Sequence, residues 1–72
     1  MTEADLTRIR SWLYAERVDA AVIQVDIHFW KVNTISGLQY IPPMSEEVTK
    51  FRFLDNPPGW LRQLARQEPK TI

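Results

Sequence analysis

The 72-residue chain contains no cysteine, one histidine and two glycines, and its nine basic side chains are balanced by nine acidic ones. Without cysteine there can be no disulfide staple and no thiolate metal site. A single histidine is too few for a His-rich zinc centre, and the spacing around it matches no metal-ligand signature. Electroneutrality argues against a domain that works mainly by neutralising phosphates, because such domains usually carry a basic excess. No stretch approaches the ~20 apolar residues of a membrane span. The opening Met1-Thr2-Glu3-Ala4-Asp5-Leu6 is acidic and lacks the basic-then-apolar order of a secretory signal, so a cytoplasmic protein is expected.

What the chain does have is apolar bulk. It is 44% hydrophobic, with three Trp, three Phe and two Tyr, which is the composition of a folded chain. A domain this short buries only ~60% of the surface its unfolded form exposes. One core of that size rarely yields more than ~3–5 kcal/mol. With disulfides and thiolate sites excluded, further stability has to come from burial against a second copy or another protein.

Thr2 followed by Glu3 and Asp5 reads as a helix start, since the hydroxyl can cap free N–H groups and the acids suit the positive end of the helix dipole. Leu6, Ile9 and Leu13 recur at helical spacing, with Trp12 widening the stripe, which predicts a helix over about 3–18. From Ala21 the period becomes two, predicting one strand over about 21–32. In that reading Ile23, Val25, Ile27 and Phe29 face the core, and Gln24, Asp26, His28 and Trp30 face away. Asn33 to Gly37 is a turn, and a second strand over 38–41 buries Leu38 and Tyr40 until Pro42-Pro43 ends it. A third strand over 48–54 has Phe51 and Phe53 inward and Lys50 and Arg52 outward. After Asp55-Asn56-Pro57-Pro58-Gly59 a second helix covers about 58–67, and residues 69–72 form a frayed tail.

The expected fold is a single α+β domain of order α-β-β-β-α. Its three strands form an antiparallel meander, both helices pack on one face, and the second sheet face stays open. The order resembles that of double-stranded-RNA-binding domains. Those domains read RNA through a basic run at the start of the second helix, where this chain has P-P-G-W-L-R-Q-L, with only Arg62 and Arg66 as early cations. The family's glycine-proline-histidine element before its second strand is also missing, so the likeness is one of topology.

In the single-strand reading Asp26, His28 and Trp30 share a face. A carboxylate can orient a histidine, and an oriented histidine can act as a base. No cysteine or elbow serine completes a nucleophilic site, and a flat sheet face excludes water poorly. An enzyme built on His28 and Asp26 therefore ranks last. No catalytic, cofactor-binding or metal-binding residue is expected, and no cofactor.

The preferred reading is a non-enzymatic interaction or regulatory module that pairs with itself or docks on a larger protein. Its surface would be the open sheet face, with Asp26, His28, Trp30, Lys50 and Arg52, since exposed Trp and Arg dominate binding hot spots. On that reading Trp30→Ala leaves folding intact and abolishes binding; if the second helix packs elsewhere, Trp60 becomes the exposed anchor. The alternative is a nucleic-acid-binding module, because residues 48–72 carry five basic and two acidic side chains. Arg62, Arg66, Lys50 and Arg52 would meet phosphates, and Trp30 would stack on a base.

Overall fold

The computed structural model describes residues 1–70. It is an α+β fold built on a three-stranded antiparallel sheet of order β1-β2-β3. The first helix, α1 (Glu3–Glu16), begins where the acidic start predicted. Thr2 Oγ1 accepts the Asp5 backbone N–H at 3.1 Å, and the Asp5 carboxylate accepts the Thr2 N–H at 3.1 Å. This reciprocal capping box satisfies two backbone donors that the helix itself leaves free. The carboxyl of Asp5 is held below its ordinary value, first by the backbone N–H of Thr2 and then by its hydroxyl.

α1 stops two residues earlier than predicted. Arg17 takes the left-handed conformation, with φ 62°. Its N–H donates to the Tyr14 carbonyl at 3.0 Å, and the Val18 N–H reaches back to the Leu13 carbonyl at 3.1 Å. These two bonds make a Schellman ending, with arginine where glycine is usual.

The predicted strand over 21–32 is two strands. β1 (Ala20–Val25) and β2 (His28–Asn33) pair antiparallel, with Val25 opposite His28. Asp26 and Ile27 form a two-residue hairpin loop. Asp26 has φ 58°, the positive φ that tight hairpin turns require at their first position. Folding back reverses the parity of the pattern, because directly opposed residues share a face. Ile23 stands opposite Trp30, which stands opposite Tyr40 of β3 (Gly37–Ile41), and Ala21, Val32 and Leu38 form the next row. The odd residues of β1 thus share a face with the even residues of β2. Trp30 goes in, where the straight-strand reading put it out.

The turn between β2 and β3 lies where Asn33 and Gly37 place it. Asn33 Oδ1 accepts the N–H groups of Ile35 and Ser36 at 2.9 and 2.8 Å. Gly37 has φ 81°, and a Cβ there would run into the Met1 side chain. Leu38 is buried, Tyr40 half-buried and Gln39 exposed, as the alternation predicts.

The third predicted strand, 48–54, is not part of the meander. Residues Glu47–Lys50 form a one-turn helix, α2. The extended piece after it pairs with β1 on its outer edge and in parallel. The Val22 N–H donates to the Arg52 carbonyl at 2.8 Å, and the Leu54 N–H donates to the Val22 carbonyl at 3.0 Å. This return path also covers part of the sheet face expected to be open. Phe53 packs against Phe29 with ring centroids 6.4 Å apart, and Lys31 Nζ lies 4.2 Å from the centre of the Phe51 ring. Val22 and Ile41, on that face by parity, are buried.

The final helix, α3 (Gly59–Gln67), matches its prediction within a residue. Leu61 and Ala65 join one core with Ile9 and Leu13 of α1, the sheet residues Ile23, Trp30 and Val32, and Leu54. Trp60 is half-buried against this core, so it does not take over as an exposed anchor. Of the predicted tail, Pro69 and Lys70 carry no regular structure, and Thr71 and Ile72 lie outside the described residues.

Candidate protein-interaction site

The residues proposed from the sequence as one surface are dispersed by the hairpin. Trp30 is 2% exposed and meets Tyr40 edge-on at 5.2 Å between centroids. It is therefore a core residue and cannot anchor a partner or stack on a base. His28 is half-buried, and its Nδ1 is 2.9 Å from the Tyr40 hydroxyl. Lys50 ends α2, and Arg52, beyond it, donates to the Glu16 carbonyl at 3.4 Å.

Asp26 sits at the hairpin tip and binds Arg66 of α3. Arg66 Nε donates to one carboxylate oxygen and a terminal nitrogen to the other, both at 3.0 Å. The parallel fork holds the Asp26 carboxyl below its ordinary value of 3.8, chiefly through these hydrogen bonds, and raises Arg66 in turn. Asp26 bonds Arg66 and His28 bonds the Tyr40 hydroxyl, so the Asp26–His28 dyad considered from the sequence is not formed. Arg62 lines a polar cleft beside this pair with Gln24, Phe53 and Asp55. Of the two early α3 cations, Arg66 is thus paired within the chain, and Arg62 lines the same cleft as Asp55. No group of three or more potential metal ligands is present among the described residues.

The hairpin that buries Trp30 exposes something else. Ile27, placed in the core by the straight-strand reading, is 83% exposed at the loop tip. It shares the lining of a hollow of about 330 Å³ with Met44, which is 101% exposed. Phe29, Ile41 and Val48 also line the hollow, and its lining carries no charged side chain. Phe29 connects the hollow to Phe53, itself 44% exposed. The result is a contiguous apolar patch where the β1–β2 hairpin meets the β3–α2 loop.

Met44 is held in place at a cost. The Ser45 N–H donates to the Pro42 carbonyl at 3.2 Å, closing a four-residue turn with Pro43 at its second position. Met44 occupies the third position with φ 69°. That is the geometry of a type II turn, which favours glycine there. A long apolar side chain is thus fully solvated on a backbone held in a strained conformation, and strain of that kind clusters at functional sites.

The sequence reading missed Ile27 and Met44. A signal was present for the first. Apolar residues occupy odd positions through Ile27 and Phe29, then even positions at Trp30 and Val32, with polar Lys31 and Asn33 between. That change of phase marks a fold-back. No comparable signal marks Met44. Comparison with family models, curated proteins and solved structures finds no match for this chain.

Proposed function

We propose that the chain is a small non-enzymatic protein-interaction module acting in the cytoplasm, and that it docks through the patch of Ile27, Phe29, Met44, Val48 and Phe53. The observation that carries this reading is the pairing of Ile27 and Met44, two large aliphatic side chains almost wholly exposed on adjacent turns beside an uncharged hollow. Single exposed apolar residues need no explanation, but a contiguous group flanked by polar surface is typical of a contact site. The sheet, α1 and α3 serve as the frame that fixes the two turns, and the Asp26–Arg66 fork ties the hairpin tip to α3.

The test is a side-by-side capture from cells producing the protein, using the wild-type chain and the Ile27→Asp/Met44→Asp double variant as baits. A differently tagged second copy is included among the prey. Partners retained by the wild type and lost by a folded double variant support the reading. Equal recovery by both baits refutes it.

A further inference from the structure

We infer that the occupant of this patch is the same patch of a second copy, related by a two-fold axis. The inference rests on the interaction reading above and gives it a partner. A two-fold contact is self-complementary, so a projecting group and the hollow that receives it must lie in one patch. Here they do: Ile27 and Met44 project at the rim of the hollow lined by Phe29, Ile41 and Val48. An Ile27 side chain entering the neighbour's hollow places the neighbour's Ile27 in the first copy's hollow by symmetry.

Area and charge agree with this choice. With ~200 Å² for a large side chain, the exposed fractions of Ile27, Met44 and Phe53 amount to about 450 Å² per copy. With all of it covered, two copies bury about 900 Å² before any rim residue is counted, just under the roughly 1,000 Å² that a biological interface should clear. No charged side chain lines the hollow, and Asp26 beside it is already neutralised by Arg66. A strongly acidic or basic partner would find no counter-charge in the hollow, whereas the apolar groups of a second copy meet no charge to desolvate there. The chain's net charge of zero means that two copies do not repel each other. Dimerisation also supplies the burial that a core of this length lacks.

The experiment is size-exclusion chromatography with light scattering over a concentration series, in low and in high salt, with circular dichroism confirming that each variant is folded. The wild type should pass from the mass of one chain to that of two as concentration rises. High salt should leave the equilibrium unchanged or favour the dimer, since the contact is apolar. Ile27→Asp should raise the dissociation constant at least about a hundredfold, because the change enters the interface twice. Met44→Gly should raise it about tenfold or more without introducing a charge.

A wild type that stays at the mass of one chain at every concentration overturns the second-copy assignment. The interaction reading then stands or falls on the capture experiment. A dimer that survives both variants but is lost in Gln39→Lys would place the contact on the outer edge of β3 and overturn the proposal. So would a dimer that dissociates steeply with salt.

Discussion

Replacing Met44 by glycine should make the monomer more stable while weakening its contacts, a separation that follows from the geometry of one turn. Met44 lies at φ 69° with its side chain fully exposed. Its removal therefore sacrifices no burial, and only the backbone terms count. A non-glycine residue in the left-handed region costs roughly 1–2 kcal/mol. Glycine relieves that strain but loses more freedom on folding, an offset of about 0.5–1 kcal/mol. The net expectation is a stabilisation of about 0.5–1 kcal/mol, or a rise in the thermal midpoint of about 2–8 °C for a domain of this size. Met44→Ala keeps the strained backbone and should stay within about 0.5 kcal/mol of wild type. The assay is thermal and urea unfolding followed by circular dichroism, at concentrations low enough to keep the chain monomeric. The urea slope should not change, because the surface exposed on unfolding is almost the same. A lower midpoint for Met44→Gly, or a stabilisation by Met44→Ala equal to that by glycine, would show that strain at this turn is not what the side chain's position costs.

Trp30→Ala should unfold the protein, or nearly so. Emptying so large a buried site typically costs about 3–5 kcal/mol, comparable to the whole stability expected of a core this small; a cooperative melt near the wild-type midpoint would contradict this. The Asp26–Arg66 fork makes a testable statement about acid. Because the folded carboxyl is depressed below 3.8, its contribution is present above that value and is lost as pH falls through the lower folded value. Thermal midpoints measured between about pH 2 and 5 should fall less steeply in Asp26→Asn than in wild type, the residual slope including Asp5, which is depressed in the same direction; identical slopes would mean that the fork does not persist in solution. Arg17→Gly, at the left-handed residue that ends α1, should stabilise by about 0.5–1 kcal/mol. A destabilisation in urea melts would imply that the Arg17 side chain contributes more than its backbone costs.

The elements legible in the sequence are those whose signals are local. Thr2 and Asp5 set the start of α1 because a capping box spans only four residues. Asn33 and Gly37 set the β2–β3 turn because the asparagine oxygen and a positive φ satisfy it on the spot. Pro57-Pro58-Gly59 opens α3 for the same kind of reason. These signals, with period-two alternation, were enough for an α+β fold with a three-stranded antiparallel sheet.

Which strands make that sheet was decided by tertiary structure. Asp26-Ile27 lacks the Asn-Gly or Asp-Gly pairing that marks a tight hairpin, and the odd-position pattern runs on through Ile27 and Phe29, so the change of phase shows only at Trp30, past the loop itself. The fold-back is stabilised from a distance, by the fork from Arg66 forty residues later and by the burial of Trp30 on Tyr40. Residues 48–54 alternate like a strand, yet their first turn is helical and only Arg52 to Leu54 bond to the free edge of β1, on the side away from β2. That edge was not foreseeable while β1 and β2 were read as one strand. The candidate site inherits both effects. The sequence by itself determined the two long helices, the locally capped turn at Asn33–Gly37 and how much apolar bulk must be buried. Only the packed structure decided which face the residues of β2 take, because a two-residue hairpin loop inverts the odd–even pattern from one strand to the next. That inversion took Trp30 into the core and left Ile27, beside Met44, in the solvent.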